Sequence, residues 1–231
     1  MTMRMHRAAV TAFFGFILLS ALAGDAGAAL LAPAERDGSL LLPPPPAIDS
    51  AMEKTEIAEL HAIISAATPQ QLAAAARDAQ DQKPDLFNTV LGFDITRYPA
   101  TMKLLNEAAA ESNTGAVKSF FHRPRPWVAD PAIPSCVSHL GRPGDDSYPS
   151  GHSTYAFTLG VVLAALLPDK AGDILARAAD FAHNRMVCGY HFHSDIVGGQ
   201  TYGTLIAARL LDNPVFKTDF AAASAELKAR P

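Results

Sequence analysis

Apolar residues recur every three or four positions along most of this chain, and clear strand-like alternation is absent. That pattern predicts helices and no sheet. "DSAMEKTEIAELHAIISA" sets Ile57, Leu60, Ile63 and Ile64 at helical spacing, with Asp49 or Ser50 as N-cap. His61 rides on this helix and reads as structural. "TPQQLAAAARDAQ" offers Thr68 as N-cap and Pro69 at the first helical position, where the missing N–H would have had no partner anyway. "YPATMKLLNEAAAESNTGAVKSFF" is helical in pattern, with a break near Asn113–Gly115. A Pro- and Gly-rich loop follows from His122 to Tyr148. Ala- and Leu-rich helices are expected at Ser150–Leu167, Lys170–Tyr190 and Ser194–Leu211, and a last one at Pro214–Ala229. No internal repeat is visible. The expected fold is all-α: a single compact helical-bundle domain over residues 51–231, with its chemistry on loops and helix ends.

The N-terminal fifth reads differently. "LLPPPPAIDS" cannot be helical through its prolines, so residues 29–50 are expected to form an extended arm packed on the domain. Ahead of it, Arg4, His6 and Arg7 precede an apolar stretch, Ala8–Leu22, then small residues ending in "AGA" at Ala26–Ala28. Residues 1–28 therefore read as a signal peptide, the apolar run being shorter than the ~20 residues a spanning helix needs. Ala156–Leu167 is also too short to span and reads as a core helix. The expected location is periplasmic or secreted, with no membrane segment after cleavage. In such an oxidising compartment a lone pair of cysteines, Cys136 and Cys188, is expected as a disulfide rather than as two buried thiols.

Composition narrows the function. Of 231 residues, 49% are hydrophobic and 18% charged, which suits a folded domain and not a disordered chain. With 19 basic against 23 acidic side chains and no long basic run, a nucleic-acid partner has no support. Apolar helix faces suit a core and a homo-oligomer equally well.

The candidate chemistry lies in three clusters. In "YPSGHSTYAF", Ser150 as a helix cap would leave the N–H groups of Gly151, His152 and Ser153 pointing at whatever precedes the helix. Such an N-terminus favours an anion, Gly151 permits close approach, and His152 at the rim could give or take a proton. In "KSFFHRPRP", Lys118 and Arg125 are seven residues apart, about two turns if the helix persists, and both could converge on one anion. His122 and Arg123 read as a solvated basic face. In "NRMVCGYHFHSD", His191 and Asp195 are i and i+4, neighbours if helical, with Arg185 nearby. A carboxylate on one ring nitrogen fixes the tautomer and frees the other nitrogen as a nucleophile. "HFHSD", with His193, also admits a metal reading, but no "HExxH" or Cys-rich spacing accompanies it and the nearby cations would repel a metal.

Lys118…Arg125-Pro126, Pro149-Ser150-Gly151-His152 and Arg185…His191…Asp195 together resemble the three-part signature of the PAP2 superfamily. That superfamily includes bacterial class A non-specific acid phosphatases, lipid phosphatases and vanadium haloperoxidases. "LPPPPAIDS", "ELHAI", the Cys before "SYPSGHS" and "VCGYHFHSD" look most like the class A acid phosphatases, and the resemblance runs from about Leu41 to near the C-terminus. It implies the helical PAP2/haloperoxidase fold and a metal-independent acid phosphatase, blocked by vanadate and needing no cofactor. The implied substrates are phosphomonoesters of broad kind: nucleotides, sugar phosphates and aryl phosphates. His191 would be the nucleophile that becomes phosphohistidine, Asp195 its orienter and His152 the general acid. Lys118, Arg125, Ser150, Gly151 and Arg185 would hold the phosphate, and alcohols could replace water as acceptor. Two alternatives share the cradle. A vanadate-dependent haloperoxidase would be a longer chain with extra helices, and a non-catalytic phosphate-binding protein would not require His152, His191 and Asp195. A lipid phosphatase would carry membrane spans around the motifs. One departure stands out: Asn184 occupies the place where the family usually has Ser before the arginine of its third motif.

Overall fold

The computed structural model describes residues 29–80 and 82–230; the expected signal peptide at 1–28 lies outside the described residues. Among the described residues there is no strand. The longer helices are α1 (Ala51–Ala66), α2 (Pro69–Asp78), α3 (Pro99–Glu111), α4 (Gly115–Phe121), α5 (Gly151–Leu166), α6 (Ala171–Val187), α7 (His193–Asp212) and α8 (Pro214–Lys228), and single helical turns join several of them.

The helix starts follow local chemistry. Ser50, not Asp49, caps α1, its hydroxyl accepting from Glu53 N–H at 3.2 Å. Thr68 and Gln71 form a reciprocal capping box on α2, with Pro69 at its first position. The break expected near Asn113–Gly115 separates α3 from α4, where Gly115 N–H donates to the Asn113 side chain at 2.7 Å. α6 begins and ends inside its expected span, because Pro168–Lys170 forms a 3-10 turn and the chain leaves the helix after Val187.

α5 is the centre of the bundle. It packs most extensively on α7 and α6, while α8 packs on α3 and α2 on α6. It is apolar almost all round, as a helix enclosed on several sides must be. The close approach of α7 to α5 depends on two missing side chains. A Cβ at Gly199 would stand 2.5 Å from the Ser150 carbonyl oxygen, and one at Gly203 would stand 2.3 Å from that of Thr154. Either contact would push the helices apart. The core includes fully buried Phe87, Phe181, Tyr202 and Phe216, each large apolar side chain contributing about 1.5–3 kcal/mol relative to exposure.

The segment before α1 is less extended than its prolines suggest. It makes helical turns at Pro33–Arg36 and Gly38–Leu41, then runs through Pro43–Pro46 without regular structure. Leu31 and Leu42 enter the core, and the hydroxyls of Tyr148 and Tyr202 donate to the carbonyls of Pro43 (2.8 Å) and Arg36 (2.6 Å).

The long loop between α4 and α5 contains a helical turn at Pro126–Ala129 and is tied down along its length. Cys136 and Cys188 are joined as a disulfide with 52 residues of separation, a closure that contributes about 4 kcal/mol in the chain-entropy model. Tyr190 hydroxyl donates to the Ser138 carbonyl at 2.7 Å, and Trp127 stacks on His139 with ring centres 4.7 Å apart.

Candidate functional site

The N-terminus of α5, the last turn of α6, the segment before α7 and α4 meet at one cavity of about 220 Å3. Lys118, Arg125, Gly151, His152, Arg185 and His191 line it. Ala79, Gln82, Thr114, Val137, Arg142 and Tyr190 complete its walls. Ser150 caps α5 by accepting from Ser153 N–H at 3.3 Å, which leaves the Gly151 and His152 amides without intrahelical acceptors. Ser150 itself is fully buried and sits behind the wall. A Cβ at Gly151 would lie 3.2 Å from Thr114 Oγ1 and 4.0 Å from Lys118 Cε, in the space between the helix start and the lysine.

His191 and Asp195 meet, but not on a helical face. α7 starts at His193, so the contact spans the helix start. Asp195 Oδ2 accepts from Phe192 N–H at 2.9 Å, and His191 Nδ1 stands 3.3 Å from the same oxygen. On its other side, His191 Nε2 is 2.9 Å from Arg125 Nη1. An arginine can only donate, so Nε2 carries the lone pair and Nδ1 carries the proton toward Asp195. Lys118 and Arg125 converge as expected, by a different route. α4 ends at Phe121, His122 takes a left-handed conformation (φ 47°), and the chain turns back in extended form to Arg125. Arg125 forks onto Asp146 (2.7 and 2.9 Å), and Lys118 Nζ donates to the Asp146 carbonyl.

Excess positive charge dominates the electrostatics. Burial, then the neighbouring Arg125, brings the Lys118 ammonium down to about 7. Burial and then Arg125 also lower Arg185 to about 10. Arg185 Nε and Nη1 are buried with no hydrogen-bond partner, under a guanidinium that lies 4.8 Å from the Tyr190 ring centre. His191 is held well below the ordinary histidine range by burial first and then by Arg125 and Lys118. His152 is likewise low, through burial and then Arg185. Its ring stacks on Phe181 with centres 5.6 Å apart. Neutral imidazoles among crowded cations form a cavity that calls for an anion with several oxygens.

Arg123 corrects the sequence reading. It is not on a solvated face but 3% exposed, forking between Asp195 (2.6 Å) and Glu56 (2.7 Å). Nothing local marked it: extended backbone before each proline of "RPRP" sets residues two apart on the same face, so Arg123 and Arg125 are not told apart by sequence. His122, by contrast, is exposed. Asp146, Ser147 and Glu56 carried no recognisable spacing. His193 pairs with Glu59 at 2.9 Å and His61 with Asp130 at 2.8 Å, both partly in solvent. Among the described residues no group of three or more His, Cys, Asp or Glu is gathered as metal ligands would be. Asn184 donates to Asp78 at 2.7 Å, beside the Arg177 fork on the same carboxylate, and so pins the end of α2 to α6. The backbone of Ala79, next along the chain, faces His152 and acts against the burial that lowers it.

Comparison with known proteins agrees with this geometry. The family model described as PAP2 superfamily matches residues 99–218. An acid phosphatase of Zymomonas mobilis is 31% identical over 206 residues, covering 84% of this chain and 77% of that one. A non-specific acid phosphatase of Salmonella typhi is 29% identical over 197 residues, covering 80% and 78%. Among solved structures, a transmembrane PAP2 type phosphatidylglycerolphosphate phosphatase from Bacillus subtilis shares the fold, with a TM-score of 0.52 at 18% identity over 74% of this chain and 87% of that one. No described helix here is long and apolar enough to cross a membrane. By its matching family model, its relatives and its all-α fold, this chain belongs to the PAP2 superfamily, and the relatives named here are bacterial acid phosphatases.

Proposed function

We propose that the protein is an exported acid phosphatase that hydrolyses phosphomonoesters through a phosphohistidine. The observation that carries this reading is the state of His191. Its Nε2 lone pair is turned toward Arg125, its Nδ1 side is against Asp195, and burial among cations keeps it unprotonated.

The reaction follows from the residues. The ester's phosphoryl oxygens take the donors of Lys118, Arg125 and Arg185 with the Gly151 and His152 amides, so the charge of the transition state meets fixed donors. Arg125 Nη1 leaves Nε2 of His191 for a phosphoryl oxygen, and the freed lone pair bonds to phosphorus as the P–O bond to the leaving group breaks. Asp195 holds the Nδ1 proton and offsets the charge of the phosphoimidazole. His152 donates its proton to the departing oxygen, then removes one from water. That water attacks phosphorus, the P–N bond breaks, and inorganic phosphate and neutral His191 return. The site's cations do the neutralising, so the reaction requires no metal. Alcohols in place of water would give transfer products. Export fits the Cys136–Cys188 bond, which oxidising compartments favour. The proposed organisation is a signal peptide at 1–28, an arm at 29–50 and a catalytic domain at 51–231.

The test is phosphate release from p-nitrophenyl phosphate at mildly acidic pH with chelator present, with and without vanadate. Turnover that survives chelator and is blocked by vanadate supports the reading. Vanadate binding with halide oxidation and no turnover would favour a haloperoxidase, and phosphate binding alone a carrier.

Protonation gives a further expectation. Lys118, at about 7, is charged in acid and loses its charge as pH rises through 7, whereas an ordinary lysine would hold it to about 10.4. A bound dianion would pull the proton back on, so anion binding should take up protons. Sulfate stays dianionic throughout, so its affinity reads the protein alone. It should weaken as pH rises from 5 to 8 in calorimetric titration, and Lys118→Met should flatten the limb near neutrality. A pH-independent sulfate affinity would contradict this role for Lys118.

A further inference from the structure

Behind Asp195, on the side away from the cavity, lies a buried charged ring that the phosphatase mechanism above does not use. Arg123 Nη1 donates to Asp195 Oδ1 and to Ser194 Oγ, both at 2.6 Å, and Arg123 Nη2 donates to Glu56 Oε2 at 2.7 Å. Glu56 Oε1 accepts from Ser194 N–H at 2.6 Å, which closes the ring. Ser147 hydroxyl donates to Asp195 Oδ2 at 2.6 Å, and Ser147 N–H donates to the Arg123 carbonyl at 3.0 Å. The Arg123 guanidinium also lies 4.4 Å from the Phe192 ring centre. Arg123, Glu56 and Asp195 are each less than 5% exposed, so these charges act on one another with little solvent screening.

The geometry points to Arg123 and Glu56 as positioning residues for phosphoryl transfer, acting on His191 through Asp195. Two physical effects are combined. The first is aim. Asp195 Oδ1 is occupied by Arg123, which leaves the Oδ2 edge for Ser147, Phe192 N–H and His191 Nδ1. The second is charge. An arginine alone beside Asp195 would cancel the negative field that His191 needs when it becomes a cationic phosphoimidazole. Glu56, on the far side of Arg123, restores a net charge of minus one to the ring. Glu56 sits on α1, so the helix after the Pro-rich arm, far from the three signature motifs in sequence, supplies that charge.

This inference rests on the phosphohistidine reading and is tested by following label transfer from a 32P-phosphomonoester in single turnovers. Glu56→Gln is isosteric and keeps an oxygen for the Ser194 N–H while removing the charge. It should slow phosphoenzyme formation roughly 10- to 100-fold, the range typical when a supporting residue behind a functional ligand is lost. Sulfate affinity should hold within about twofold, since neither residue lines the cavity. Arg123→Gln should slow the same step, with Arg123→Lys recovering part of the rate. In an Asp195→Asn background each loss should shrink to about twofold or less, because the residue acted on has gone. Should Arg123→Gln fail to fold, Glu56→Gln completes the cycle. Losses that multiply in full with Asp195→Asn, or a lowered melting temperature with an unchanged transfer rate, would overturn the proposal. A wild-type protein that never takes up label would instead sink the phosphohistidine reading itself.

Discussion

His191→Ala is expected to lower turnover of p-nitrophenyl phosphate by about 10^5-fold or more, as removal of a nucleophile from an interdependent set does. No labelled intermediate should form after an alkaline quench, which preserves phosphohistidine. Phosphate or sulfate should still bind, because Lys118, Arg185 and the amides at the start of α5 remain. The reason is geometric. Among the cavity-lining groups, His191 presents a neutral lone pair at Nε2, fixed by the arginine on one side and the carboxylate on the other. Wild-type turnover in this variant would remove His191 from the role and leave the cavity as an anion site whose nucleophile lies elsewhere.

His152→Ala should have the second largest effect, and it should depend on the leaving group. An alkoxide needs a proton as it departs, so an alkyl phosphate should lose roughly 10^2- to 10^4-fold, the range for general-acid catalysis. p-Nitrophenolate is a stable anion and should lose far less. In the resting site His152 is held neutral by burial and then by Arg185. A general acid must carry a proton, and the incoming phosphate supplies the condition for it. Its negative charge offsets Arg185, Lys118 and Arg125, the groups that push His152 down. An ester below its second pKa of about 6 also brings a proton with it. Acid should therefore favour turnover through proton supply as well as through the charge on Lys118. Equal losses for aryl and alkyl esters would count against the acid role.

Much of this arrangement was legible before any coordinates. Helix periodicity, Ser150 and Thr68 as caps and the small-residue break at Asn113–Gly115 are local features, set within a few residues by backbone sterics and hydrogen bonding. The cavity-lining residues Lys118, Arg125, Gly151, His152, Arg185 and His191 were legible too, because their types and spacings form recognisable motifs. The fine route was not. Lys118 and Arg125 come together by a left-handed turn at His122 and an extended return, not by two turns of helix. His191 and Asp195 meet across a helix start.

Arg123 marks the boundary most clearly. Its place in "HRPRP" is visible to anyone reading the chain, and it stands beside His122, so a solvated basic face is the natural local conclusion. Its burial depends on Glu56 and Asp195, 67 and 72 residues away, arriving on α1 and α7. No local rule encodes that. A buried charge is tolerable only where folding brings opposite charge to it, and that pairing exists only in three dimensions. The same holds for the lowered Lys118 and Arg185, whose properties come from helices packed around them. The order of residues thus pointed to the groups that line the cavity and to where the helices begin. Packing settled how those groups are charged, because desolvation and the sum of neighbouring charges are properties of the assembled bundle.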